Sequence, residues 1–162
     1  MAGGTVGDRI DSGQDLVDPL QLDRQVCFAL SVAARTVVAL YRPVLDPMGL
    51  THPQYLVMLA LWERSPRSVK DLSEALALDP GTLSPLLKRL EAAGMVSRRR
   101  DRADERVLAV TLTDAGHALR AQAEKVPPAI VARLGMEISE LEDLHGALTR
   151  VIAAARTAPE EH

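Results

Sequence analysis

The sequence predicts a mainly helical fold with one small β-hairpin, and three observations carry that prediction. Apolar residues recur at helical spacing through most of the chain after residue 18. Hydrophobic residues make up 47% of the chain but aromatics only 2% (Phe28, Tyr41, Tyr55 and Trp62), so the core is built from Leu, Val and Ala, which suits helix packing better than a β-sandwich. The exception is a strand-like pair, residues 95–99 and 107–112, which directly follows two short helices with clear start signals.

Each element has its own signal. Residues 1–17 are Gly- and Asp-rich without periodicity and read as a disordered tail. Asp18-Pro19 reads as an N-cap with proline in the first turn. From there Leu22, Val26, Cys27, Leu30, Ala33, Ala34, Val37, Val38 and Tyr41 describe a long helix, ended by Pro43, Pro47 and Gly49. Thr51-His52-Pro53-Gln54 is a capping box opening a helix through Trp62. Ser68 caps a short helix that ends near Ala77, and Asp79-Pro80 opens another over residues 81–93, closed by Gly94. The hairpin follows, with a charged turn over residues 100–105. Thr113-Asp114 starts a further helix, which Pro127-Pro128 interrupts, and Ser139-Glu140-Leu141-Glu142 opens a last amphipathic helix to about Ala155.

A length of 162 residues is one domain's worth. The first ten residues carry no apolar run and no stretch approaches 18 uncharged apolar residues, so neither a secretion signal nor a membrane span is expected. One cysteine cannot form an internal disulfide, which suits a reducing, cytoplasmic setting. His117, His145 and His162 show no metal-ligand spacing, and no metal or cofactor is expected.

Two short capped helices joined by a tight turn around Leu78, with a hairpin directly after them, form a winged helix-turn-helix pattern. The second helix has the dimensions to enter a DNA major groove, where Thr82 and Ser84 would reach bases or phosphates and Lys88 and Arg89 the backbone. Ser68 and Lys70, at the start of the first helix, and Arg99, on the hairpin, are counted with them as DNA-binding residues. Arg102 and Arg106 at the hairpin tip are placed to enter an adjacent minor groove. The net charge is −3, yet residues 88–106 hold seven basic against four acidic residues, a local +3 on an acidic body. A solvated arginine-rich face, or a winged helix that binds protein, reads the same residues without DNA.

Leu83-Ser84-Pro85-Leu86-Leu87-Lys88-Arg89-Leu90-Glu91, Gly94, and Asp104-Glu105-Arg106 leading to Leu112-Thr113-Asp114-Ala115-Gly116 resemble the MarR (multiple-antibiotic-resistance regulator) family. The resemblance implies a repressor that dimerises through interleaved N- and C-terminal helices, here residues 18–46 and 114–157. It implies a winged helix-turn-helix over residues 51–113, within one MarR-type domain spanning 18–162. It places Arg106, with Asp104 beside it, in the minor-groove wing and Asp79, Thr82 and Ser84 at recognition-helix contact positions. Gln25-Val26-Cys27-Phe28-Ala29-Leu30, Tyr41-Arg42-Pro43, Gly49 through Leu59, and Leu61-Trp62-Glu63 are similar to the organic-hydroperoxide-sensing branch, OhrR. That similarity implies a one-cysteine sensor in which Cys27 is oxidised and the repressor leaves an inverted-repeat operator.

The residues around Cys27 allow two readings. A lone cysteine on an apolar helix face is commonly an inert, buried hydrophobe. Against that, Arg24, three residues earlier, would share its side of the helix and favour the thiolate. Tyr41 lies 14 residues on, about 21 Å along a helix and on nearly the same face. If two first helices cross antiparallel in a dimer, Cys27 of one meets Tyr41 of the other, and a phenol donating to the thiolate stabilises it; the resemblance implies the same contact. The same similarity implies tyrosine at the positions of Ser31 and His52, so these two depart from the branch. A serine hydroxyl donates but reaches less far, His52 donates when suitably protonated, and with Tyr55 they are the other expected thiolate partners. With no second cysteine, a low-molecular-weight thiol, cyclisation or over-oxidation would dispose of the sulfenic acid. The alternatives are a repressor released by a small apolar or phenolic ligand, with Cys27 incidental, and a thiol peroxidase, which the absence of a resolving cysteine disfavours; no enzyme activity is expected.

Overall fold

The computed structural model describes residues 18–100 and 107–158. The expected tail over residues 1–17 lies outside them, as does most of the charged turn. The chain divides into two compact units, residues 1–36 and 37–162.

In the first unit Asp18 does not cap a helix. Its carboxylate accepts from Leu20 N at 2.9 Å, and the Gln25 amide donates to the carbonyl oxygens of Pro19 (2.7 Å) and Gln21 (3.2 Å). These bonds hold a separate 3-10 turn, Leu22–Arg24, and Gln25 then takes an extended conformation (φ −78°, ψ 120°). Helix α1, Val26–Leu45, starts only after it, seven residues later than Asp18-Pro19 suggests. The expectation failed because an Asx turn and a helix N-cap use the same aspartate–proline signal. At its other end α1 runs past Tyr41 and includes Pro43. The segment Val26–Met48 is long and apolar enough by length and composition to cross a membrane, which corrects the expectation that none approaches this. Arg35 and Arg42 interrupt the uncharged run without removing its apolar character.

The second unit carries the core. Helix α2, His52–Glu63, opens on the expected capping box: Thr51 N donates to Gln54 Oε1 (2.9 Å) and Gln54 N to Thr51 Oγ1 (3.5 Å). Helix α3, Val69–Leu76, is capped by Ser68, whose hydroxyl accepts from Asp71 N at 3.0 Å, and ends on left-handed Ala77 (φ 51°). Helix α4, Pro80–Ala92, is capped by Asp79. It closes with Gly94 at φ 75°: Gly94 N donates to Glu91 O (2.9 Å) and Met95 N to Leu90 O (3.0 Å), a Schellman motif.

Strands β2, Val96–Arg100, and β3, Leu108–Leu112, pair antiparallel as expected, with Arg98 opposite Val110. The sheet has a third strand that the hairpin pattern does not show: β1, Arg67–Ser68, pairs antiparallel with β3 through Arg67 and Val110, giving the order β1-β3-β2. Two residues are too short to display a period of two. Helix α5, Asp114–Ala123, is capped by Thr113. The break after it falls at Glu124–Lys125; Pro127 and Pro128 sit in the first turn of α6, Val126–Leu134, where a missing N–H costs nothing, and so they start a helix rather than interrupt one. Helix α7, Ile138–Thr157, opens one residue earlier than Ser139, through a box between Glu137 and Glu140.

Leu45, Met58, Leu61, Leu72, Leu83, Leu87, Leu90, Val96, Val110 and Val126 are fully buried and form one cluster. Gly116 permits the close approach of α5 to the sheet: a Cβ there would run into the Met95 carbonyl oxygen and come within 3.2 Å of Leu112. Trp62 ties α2 to the same point, donating from Nε1 to Gly116 O at 2.9 Å. In contrast α7 buries none of its residues, and Leu144, Val151 and Ile152 on it are exposed.

Candidate functional site

Helix α4 is amphipathic in the sense a groove-reading helix requires. Leu83, Leu86, Leu87 and Leu90 face the core, which leaves Thr82, Lys88 and Arg89 exposed and Ser84 half-buried. The Asp79 carboxylate accepts from Thr82 N (2.9 Å) and from Thr82 Oγ1 (2.6 Å). These bonds, the side-chain one foremost, hold its carboxyl below the usual carboxylate range, so it is an anion at neutral pH. Asp79 thus caps α4, and the Thr82 hydroxyl proton is directed back to it; the lone pairs of Thr82 remain to accept.

The other expected DNA-binding residues fall around this helix. Ser68 is half-buried in its cap; Lys70 is exposed and lies 3.9 Å from Glu74. Arg99 is exposed on β2, on the strand face opposite Arg98. Arg102, Asp104 and Arg106 lie outside the described residues.

Two charge clusters were not evident in the sequence. Arg67, 9% exposed, donates to Glu63 Oε2 (3.0 Å) and Arg64 O (3.3 Å), and lies 3.7 Å from Asp71, which also takes Arg64 at 2.6 Å. Arg98 on β2 is bound to Glu91 on α4: Nε and Nη2 donate to Oε2 at 2.9 and 2.6 Å, and the Arg98 backbone N donates to Oε1 at 3.1 Å. These contacts hold the Glu91 carboxyl below its ordinary range. A helix end and a chain reversal separate the two residues, so no periodicity relates them.

Cys27 is a free, exposed thiol on the first turn of α1. Arg24 belongs to the preceding 3-10 turn, with extended Gln25 between, so the shared helix face expected of it does not exist. The Ser31 hydroxyl donates to the Cys27 carbonyl oxygen at 2.9 Å, a backbone partner rather than the sulfur.

In the second unit Tyr41, His52 and Tyr55 do come together. The His52 ring meets Tyr41 edge-on with centroids 4.7 Å apart, and Tyr41 and Tyr55 lie 6.0 Å apart. Burial pushes both phenols up, with the neighbouring Tyr41 adding to the shift of Tyr55, and pushes the His52 imidazole down. At neutral pH the cluster therefore holds two protonated phenols and a neutral imidazole. Tyr55 and Trp62, 6.5 Å apart, also floor a groove of about 310 Å³ with Leu59, Ala123 and Pro127. Among the described residues no three His, Cys, Asp or Glu side chains gather as metal ligands.

Known proteins carry the same architecture. Residues 39–122 match the family described as transcriptional regulator SarA/Rot. The chain is 47% identical over 129 residues to the HTH-type transcriptional regulator TtmR of Methylorubrum extorquens, covering 80% of this chain and 65% of TtmR, somewhat less than two thirds of that relative. It is 39% identical over 131 residues to the organic hydroperoxide resistance transcriptional regulator of Bacillus subtilis, covering 81% and 89% of the two chains. Reduced AbfR bound to DNA, the Staphylococcus epidermidis protein, superposes with a TM-score of 0.72 at 36% identity over 83% of this chain and 92% of its own; AbfR is also known overoxidised on DNA and in a disulfide form. The chain belongs to the MarR/SarA-type family of winged-helix transcriptional regulators.

Proposed function

We propose that the protein is a cytoplasmic, homodimeric repressor that binds an inverted-repeat operator through α4 and the wing and leaves it when an organic hydroperoxide oxidises Cys27. The observation that carries the sensing step is the exposed Cys27 thiol on a helix whose apolar residues are uncovered: Val26 (69% exposed), Phe28 and Val32. An inert core cysteine would be packed inside its own chain; this one is not, and is left to meet a partner subunit.

The pattern of burial supports the dimer. Val38 on α1 and Leu144, Val151 and Ile152 on α7 are left exposed by the described residues, and each fully buried aliphatic side chain contributes about 1.5–3 kcal/mol. A second copy laid antiparallel on α1 covers such a stripe and brings Cys27 against Tyr41 of the partner subunit. That phenol is protonated at neutral pH, so it can donate to a thiolate and favour the charged form.

The chemistry balances without further residues. The thiolate attacks the distal oxygen of R–O–OH, the O–O bond breaks, the sulfur becomes a sulfenic acid, and the alkoxide leaves as the alcohol after protonation. A small cellular thiol then forms a mixed disulfide with loss of water, since the chain holds no second cysteine. One equivalent of peroxide is consumed per subunit, which distinguishes a sensor from a peroxidase.

The test uses the duplex that the wild-type protein selects from a random-sequence library. Cumene hydroperoxide should release wild type from this duplex and leave Cys27→Ser bound. Release of Cys27→Ser under the same treatment would refute the sensing step. The groove floored by Tyr55 and Trp62 supports a second reading, an apolar or phenolic effector bound there. Under that reading Cys27→Ser would still be released by its ligand.

A further inference from the structure

The pair Glu91–Arg98 has no role in the function described so far. Its position at the junction of the recognition helix and the wing suggests one. We propose that Glu91 and Arg98 form a positioning joint that sets the direction of the wing relative to α4, so that both reach DNA together. The proposal rests on the DNA-binding reading above.

The geometry is that of a fixed joint rather than a surface ion pair. One carboxylate takes three donors from Arg98: two guanidinium nitrogens on Oε2 and the backbone N–H on Oε1. The backbone contact matters most, because it fixes the path of β2 itself and not only a side chain. Arg98 is also partly sheltered, with 21% of its side chain exposed. The Schellman motif at Gly94 fixes the same reversal from the backbone side. Two residues beyond Arg98, β2 ends at Arg100.

The pairing also sorts the arginines of the wing. Val96 and Arg98 share one strand face, toward α4, and Arg99 points from the other. Glu91 neutralises Arg98 in place, so Arg98 acts as a strut while exposed Arg99 remains for phosphate. Removing Glu91 should then have two opposite effects. Specific binding weakens because the wing loses its alignment. Binding to arbitrary DNA holds or tightens, because a cation has been released.

The experiment compares wild type, Glu91→Gln, Glu91→Ala and the charge-swapped double variant Glu91→Arg/Arg98→Glu. Each is titrated by fluorescence anisotropy against the library-selected duplex and a scrambled duplex of the same composition, over a salt series. The ratio of the two affinities should fall about tenfold in Glu91→Ala and less in Glu91→Gln, which keeps an acceptor for the Arg98 backbone N–H. The salt dependence on scrambled duplex should steepen by up to about 0.9, the increment for one further phosphate contact. The swapped pair restores the side-chain ion pair but offers no acceptor for the backbone N–H of residue 98, so it should recover only a minor part of the ratio. An unchanged ratio in Glu91→Ala, or a ratio that the swap restores in full, overturns the joint. So does an equal loss on both duplexes with unchanged salt slopes, which is the signature of simple destabilisation. If wild type selects no duplex at all, the DNA-binding reading fails and the joint with it.

Discussion

Replacing Gly116 by alanine sets two effects of opposite sign against each other. Gly116 lies inside α5, and helix propensity alone favours alanine there by about 0.5–1 kcal/mol. The surroundings oppose it. A Cβ on Gly116 would overlap the Met95 carbonyl oxygen, which is backbone and itself held by Thr113 N and Thr113 Oγ1, each at 3.1 Å. Relief requires α5 to move off the sheet. That movement strains the Thr113 cap on Gly116 N (3.1 Å) and the bond from Trp62 Nε1 to Gly116 O. Overpacking of this kind costs about 1–3 kcal/mol, and each hydrogen bond lost adds about 1. Net of propensity, Gly116→Ala should be destabilised by about 2–4 kcal/mol, a large part of an ordinary domain's stability. Urea unfolding followed by far-UV circular dichroism gives the value. Trp62, the sole tryptophan, reports by fluorescence on the very bond in question. A variant as stable as wild type would refute the close approach of α5 to the sheet.

Other expectations follow from the same structure. Tyr41→Phe keeps the ring but removes the phenol, so mass spectrometry should show slower oxidation of Cys27, and DNA release should be less complete; wild-type behaviour in both would remove Tyr41 from the switch. His52 is depressed below its ordinary 6.5, so the unfolded chain binds its proton first and stability should decline as pH falls below about 6.5. His52→Asn should flatten that limb of the pH–stability profile; an unchanged limb would exclude His52 as its source. Arg106→Ala should weaken specific binding and lower the salt slope by about 0.9; undiminished affinity at moderate salt would refute the wing assignment. Sedimentation equilibrium should give a dimer at micromolar concentration, and a stable folded monomer would contradict the covering of α1 and α7.

Local signals were the legible ones. Thr51, Ser68, Asp79 and Thr113 each cap the helix their position indicates, because a cap is decided by three or four adjacent residues. Gly94 ends α4 for the same reason. Signals that depend on remote partners were not legible. Strand β1 exists because β3 lies beside it, and Glu91 finds Arg98 only once the chain has reversed at Gly94. Asp18 shows a local signal serving two conformations, with Gln25 deciding between them through its bonds to Pro19 and Gln21. Tyr41, His52 and Tyr55 lie against one another, whereas Ser31 bonding its own helix backbone was a choice between two acceptors that spacing does not rank.

The sheet order β1-β3-β2 also bears on how the molecule is made. β1 leads straight into α3, yet its partner β3 comes after the wing, with Arg67 opposite Val110. During synthesis α3 and α4 therefore emerge from the ribosome before the strand that pairs with β1. The sheet at their root is complete only once residue 112 has been made and β3 has paired between β1 and β2. A truncated fragment ending at Gly94 would hold both helices and no anchored base. A fragment that keeps the sheet and the Trp62 bond to Gly116 has to extend through β3 and into α5.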